Sequence, residues 1–248
     1  MIKNYFKIAF RNIIRQKAFA TINIAGLAIG MACSIFILLW VTNELSYDRF
    51  HKNANEIYRI TASAGDFNAA VNCAGMPAEL QAKIPTVQKY VRLSHPSTIV
   101  FETGARKFEE KKVFYADSTF LQLFSFNLQK GNRETALMRP DAVLITEDMA
   151  EKYFGQEDPI GKTLKKNNGS NVTVTGILAN IPSNSHLQFD FILPMSSIAQ
   201  SDRDLRENTW QNFNFYTYIQ LDKNFKATPT AISGLTKQID RLYKEHVD

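Results

Sequence analysis

The strongest hint of chemistry in the chain is Gly155-Gln156-Glu157-Asp158-Pro159-Ile160-Gly161-Lys162-Thr163, which looks like a phosphate-binding loop. Such a loop sets four residues between its glycines, after a strand and ahead of a helix, so that backbone amides converge on phosphate. Here five residues separate the glycines, a helical pattern precedes and a strand pattern follows. The stretch therefore reads as a turn in which Asp158-Pro159 and Gly161 launch a strand. His51, His95, His186 and His246 are scattered, with no second histidine or cysteine at ligand spacing, and read as surface or capping residues. Ser183, Ser185, His186 and Asp190 crowd one loop without a nucleophile elbow and read as turn formers. Glu109-Glu110 beside Lys111-Lys112 reads as a solvated hairpin face. No catalytic, cofactor-binding or metal-binding residue is assigned, and no cofactor is expected.

The element that must position everything else is the stretch from Ala18 to Asn43, which holds no charged side chain and has an apolar core from Ile22 to Val41. A hydrocarbon layer of roughly 30 Å takes about 20 apolar residues at helical rise, so this segment is long enough to span one. Residues 1–17 carry Lys3, Lys7, Arg11, Arg15 and Lys17 and no acid, whereas Glu44 and Asp48 open the far side. That bias places the N-terminus in the cytoplasm and residues 44–248 outside. Those five bases equal the whole net charge of +5, so the large domain is neutral and nucleic acid is not an expected partner. Within residues 2–16, Ile2, Tyr5, Phe6, Ala9, Phe10 and Ile13 recur at helical spacing beside an i, i+4 basic stripe of Lys3, Lys7, Arg11 and Arg15. This pattern suits a helix lying in the membrane surface, its stripe on lipid phosphates. The n-region is long and the apolar block exceeds a usual signal h-region, which argues against a cleaved leader. Gly26, Gly30 and Ser34 fall four apart and form a shallow groove where another helix could pack. Cys33 lies in the spanning segment and Cys73 outside it, so the two cannot bridge.

Beyond the span, helix continues through Tyr47, Phe50 and Ile57, and strand follows at Tyr58 to Ala62. Pro77 opens a short helix through Ile84. Val87 to Leu93, Thr98 to Glu102 and Lys107 to Tyr115 read as strands. Ser118 caps a helix through Phe124, Ala142 to Ile145 is a strand, and Thr146 caps a helix that stops at Gly155. Thr163 to Lys165 and Val172 to Ala179 form a hairpin, Phe189 to Leu193 and Phe213 to Leu221 are strands, and Ala231, Leu235, Ile239 and Leu242 mark a closing helix. The pattern mixes helix and strand without internal repeats, which is an α+β domain.

Several long phrases carry a resemblance. Asn4 to Arg15, Asn23-Ile24-Ala25-Gly26-Leu27-Ala28-Ile29-Gly30, Leu39-Trp40-Val41, Glu44-Leu45-Ser46-Tyr47-Asp48 with Phe50-His51, and Ile57-Tyr58-Arg59 resemble the opening of MacB/FtsX-type ABC transporter permeases, especially the Bacteroidetes type. A later block, Asp141 to Thr146, Met149-Ala150, Lys152 to Gly155, Asp158 to Lys162, Val174-Thr175-Gly176 and Pro182 to Asp190, resembles the periplasmic core domain of that family. The resemblance divides the chain into a cytoplasmic interfacial helix (1–17), a transmembrane helix (18–43) and a MacB-like periplasmic core domain (44–248).

The resemblance implies a permease subunit of the bacterial inner membrane, non-enzymatic itself, that relays the ATP-driven motion of a partner ABC ATPase to its periplasmic domain for export or extraction of a substrate. It implies a homodimer or paired permease and a periplasmic partner or substrate. Such permeases have further spanning helices after this domain, so residues 1–248 are expected to be the N-terminal part of one. Two rivals remain: a single-pass sensor, which would need an output domain, and a membrane-anchored enzyme, which would need a convergent polar site.

Overall fold

The structure, a computed structural model, describes residues 2–64 and 67–247, with the backbone alone for residues 2, 3, 64 and 67. It divides into two compact units, Met1–Tyr47 and Asp48–Asp248.

The first unit is two helices, α1 (Ile2–Arg15) and α2 (Lys17–Leu45). Gln16 leaves helical geometry at φ −113° and ψ 57° and separates them. α2 buries no residue and is long and apolar enough to cross a membrane; at 1.5 Å per residue its 29 residues extend about 43 Å. Tyr5, Phe6 and Phe10 of α1 are exposed, as are Lys7 and Arg11.

The second unit begins with a turn and a short 3-10 segment, Ala54–Glu56, then β1 (Ile57–Ile60), β2 (Ala62–Ala64), β3 (Phe67–Ala69), α3 (Met76–Lys83), β4 (Val87–Leu93), β5 (Ser97–Thr103) and β6 (Arg106–Ala116). Next come α4 (Phe120–Leu123), β7 (Leu128–Gly131), β8 (Ala142–Thr146), α5 (Glu147–Phe154), β9 (Thr163–Lys166) and β10 (Asn171–Leu178). β11 (Phe191–Pro194), α6 (Arg203–Glu207), β12 (Tyr216–Leu221) and α7 (Pro229–Val247) complete it. β5 pairs with both β9 and β6, so β6, β11, β8, β10, β9 and β5 close into a six-stranded barrel. From β6 the sheet continues outward through β4 and β12 to β1, joined at the single pair Leu93↔Ala116. β2 and β3 form a separate hairpin.

Side-chain alternation assigns each strand face to its own core. On β8, Val143 and Ile145 fill the barrel interior while Leu144 faces an outer cluster with Phe120, Phe124, Phe126 and Phe189. On β12, Tyr218 joins that outer cluster, and Ile219 and Leu221 face a third core under α3 and α7 with Leu80 and Leu242. The phenylalanines are therefore core material: Phe120 stacks on Phe126 with ring centroids 5.6 Å apart, and Phe126 meets Phe189 edge-on at 5.0 Å.

Several sequence expectations are corrected. Helix does not run on to Ile57; it ends at Leu45, because Asp48 takes a left-handed backbone (φ 57°) and its N–H donates to the Asn184 carbonyl. The expected strand Tyr58 to Ala62 divides into β1 and β2, which pair with different partners, β12 and β3. Ser118 caps nothing: α4 starts after Thr119, whose hydroxyl donates to the Tyr90 carbonyl instead. Thr146 stands at the N-cap of α5, but its hydroxyl is buried without a hydrogen-bond partner. The last strand starts at Tyr216 and not Phe213, since Asn212 and Asn214 turn their side-chain amides onto the buried Asp204 carboxylate. Glu110 is no solvated residue either; it is 5% exposed and accepts from Tyr153 Oη at 2.7 Å and Lys152 Nζ at 2.8 Å, because α5 packs over it. Short elements β3, β7 and α6 carry no periodic signal and escape the sequence reading.

Candidate functional site

Three residues beyond the end of α2, the chain is fixed into the second unit by a polar network. Asp48 Oδ1 accepts from the His186 backbone N–H at 3.1 Å and from Ser185 Oγ at 3.2 Å. Asp48 Oδ2 lies 2.7 Å from His186 Nδ1, and His186 Nε2 lies 2.7 Å from the Tyr218 hydroxyl. A carboxylate can only accept, so Nδ1 carries the proton, and Nε2 shares a hydrogen bond with the Tyr218 hydroxyl. Three parts of the chain meet in this line: the turn after α2, the loop before β11, and β12. Burial pushes the Tyr218 phenol up to about 12, against the neighbouring Arg59 guanidinium.

His51 forms the second half of the site. It is 5% exposed among Phe50, Phe124 and Phe126, with ring centroids 4.1, 5.1 and 5.0 Å away. The Ser125 N–H donates to Nδ1 at 3.0 Å, so Nε2 holds the proton, and that buried N–H has no acceptor. Burial pulls the imidazole down to about 4; Asp48 opposes this and His186 adds to it. Asp48, His51, Arg59, Phe124, His186 and Tyr218, with Ala54 and Ile57, line a cleft of about 360 Å³.

The scattered histidines are therefore not all surface or capping residues, because the fold brings His51 and His186, 135 positions apart in the chain, into one cleft. The nucleophilic set does not assemble: Ser185 Oγ donates to Asp48 and not to a histidine, and the Asp190 carbonyl accepts from Thr146 N–H. In the loop that looked phosphate-binding, Gly155 closes α5 at φ 64°, Lys162 pairs with Glu157, and Asp158 Oδ1 accepts from the Ile160 N–H at 3.2 Å. Among the membrane-side residues, a Cβ on Gly26 or Gly30 would meet open space, and Ser34 Oγ donates to the Gly30 carbonyl at 2.9 Å. Lys7, Arg11 and Arg15 are exposed along α1, while the side chain of Lys3 lies outside the described residues. Among the described residues no three acidic, histidine or cysteine side chains gather to hold a metal ion. The one signal that could have located the site from sequence is that Asp48, His51 and Arg59 fall in the first resembling block and His186 in the second.

Solved structures share this fold. A domain assigned to a permease protein of Porphyromonas gingivalis aligns with a TM-score of 0.65 at 23% identity, over 79% of this chain and 86% of that one. The periplasmic region of MacB from Actinobacillus actinomycetemcomitans aligns at 0.57 and 14% identity, over 77% and 86%. The extracellular domain of the ABC-type transporter YknZ from Gram-positive bacteria aligns at 0.53 and 18%, over 76% and 93%. No curated protein matches the chain. The family model of the MacB-like periplasmic core domain matches residues 20–234, a span that contains Asp48, His51, Arg59, His186 and Tyr218, and the chain belongs to that family of ABC-permease domains.

Proposed function

We propose that this chain is the N-terminal part of a MacB/FtsX-type permease subunit that relays ATP-driven motion of a partner ABC ATPase to its extracytoplasmic domain, for export or extraction of a substrate. The family implies the ATPase partner. The observation that carries the relay is the clamp on Asp48: the first residue of the second unit donates its N–H to the Asn184 carbonyl, and its carboxylate accepts from Ser185 and His186. A displacement of the chain at Asp48 is thereby passed to the loop before β11 and, through His186 and Tyr218, to β12. Closely packed cores transmit such a displacement because they have little room to absorb it.

In this reading α2 spans the inner membrane with the N-terminus cytoplasmic, and α1 rests on the lipid surface through Lys3, Lys7, Arg11 and Arg15. Gly26, Gly30 and Ser34 offer the packing face toward a second permease copy or another spanning helix. The chain performs no catalysis itself: Asp48, His186 and Tyr218 hold one another and present no nucleophile. Hydrogen exchange on the permease reconstituted with its ATPase tests the relay. Trapping the ATPase with ATP and vanadate is expected to change amide protection in residues 182–187 and β12, and Asp48→Ala is expected to abolish that change without stopping ATP hydrolysis. Equal protection with and without nucleotide in the unaltered protein would refute the relay.

A further inference from the structure

The polar groups around the cleft differ in what they have left to offer. Both Asp48 oxygens and both His186 ring nitrogens are engaged. His51 Nε2–H is not: it belongs to a side chain 5% exposed that lines the cleft, is itself buried without an acceptor, and is the one side-chain donor His51 has once Ser125 holds Nδ1. Arg59 stands on the edge strand β1 directly opposite Tyr218, is exposed, spends a side-chain hydrogen bond on the Tyr218 hydroxyl, and joins no ion pair among the described residues. A guanidinium presents five donors in a planar fork suited to phosphate. Ala54, Ile57 and Phe124 supply the apolar wall. The cleft therefore offers donors of one sign beside a small apolar surface, and the one carboxylate nearby is already met by three donors.

We propose that this cleft binds a phosphate group carrying a small organic substituent, with Arg59 as the charged clamp and His51 Nε2–H as the directional donor. Two sources carry such a group, a soluble phosphate ester and a phospholipid headgroup. The second is within covalent reach of the chain, because Asp48 follows Leu45 by three residue steps, which span at most about 11 Å. The binding is independent of ATP-driven coupling and is measured without the ATPase, so its failure would leave the relay standing.

The test uses the full chain in phosphate-free detergent, titrated with sn-glycerol 3-phosphate while the His51 ring resonances are followed by NMR, their assignment made by their loss in His51→Asn. A saturable shift is expected. Arg59→Gln should weaken binding about tenfold or more through loss of the bidentate contact, whereas Lys107→Gln, which removes the same charge from β6, should leave it unchanged. Should Arg59→Gln fail to fold, Arg59→Lys keeps the charge but not the fork and should still weaken binding. A second arm compares nanodiscs of phosphatidylglycerol with nanodiscs of a phosphate-free betaine lipid. A headgroup ligand shifts His51 in the first discs alone and blocks the soluble ester there; a soluble ligand titrates equally in both. No saturable His51 shift in any arm, or equal losses from Arg59→Gln and Lys107→Gln, would overturn the proposal.

Discussion

Asp48 and His186 stand 138 positions apart in the chain, yet Oδ2 of one lies 2.7 Å from Nδ1 of the other. The contact requires Asp48 to hold a left-handed backbone at φ 57°, which costs a non-glycine residue roughly 1–2 kcal/mol. Asp and Asn tolerate this conformation better than other residues with a side chain, so both the carboxylate and the backbone of this position are specified by the network.

Asp48→Ala is expected to lower stability by about 2–3 kcal/mol, since it removes the acceptor of the His186 donors and keeps the strained φ. For a unit of this size that corresponds to roughly 4–12 °C in melting temperature by circular dichroism. Asp48→Asn, which keeps an acceptor and tolerates the backbone, should lose about half as much. Equal melting of Asp48→Ala and the unaltered chain would mean the network carries no load.

His51 sets a pH dependence. Its folded pKa is about 4 against an ordinary 6.5, so between these values the unfolded chain takes up a proton that the folded chain refuses. Stability is therefore full above about pH 6.5 and falls as the pH drops toward 4, by on the order of 3 kcal/mol in total from this one group. His51→Asn retains an acceptor for the Ser125 N–H but cannot titrate. Denaturant melts from pH 7 to 4 should show a visibly shallower decline for the variant; parallel curves would show that His51 is free to protonate in the folded state.

The contrast between His51 and Glu110 shows what was legible in the sequence. Unbroken apolar runs located α2 and β8, and periodicity located β4 to β6, β10 and α7 closely, because a face that is buried repeats at the period of its element. The site was not legible in the same way. His51 looks like a polar residue after a membrane helix, and nothing local says that Phe50, Phe124 and Phe126 will close over it. Glu110 looks exposed beside Lys111 and Lys112 because its partners, Tyr153 and Lys152, arrive from an element 42 or 43 residues later. Closure of the barrel by β5 onto both β6 and β9 is likewise a matter of pairing between distant strands, which alternation within one strand cannot encode.

Gly131 and Gly104 both have positive φ, at 104° and 55°, but differ in what surrounds them. A Cβ on Gly131 would collide with the Thr175 carbonyl oxygen and stand 2.9 Å from Gly176 Cα, whereas one on Gly104 meets open space. Gly104→Ala should therefore cost only the backbone penalty of about 1–2 kcal/mol. Gly131→Ala must also part β7 from β10 and should cost at least about 3 kcal/mol. Similar melting temperatures for the two variants would contradict the close approach of these strands.

Thr146 gives the opposite expectation from an ordinary helix cap. Replacing a working Thr cap usually costs about 1 kcal/mol, but here the hydroxyl is buried with no partner while the residue's N–H is satisfied by the Asp190 carbonyl at 3.1 Å. A buried unpaired hydroxyl is itself a cost, and valine has nearly the same shape without it. Thr146→Val should thus be neutral or raise stability by about 0.5–1 kcal/mol, read as a higher denaturant midpoint at unchanged m-value. A loss of about 1 kcal/mol instead would show that the hydroxyl caps α5 in solution, with Thr146 in a different rotamer from the one described here.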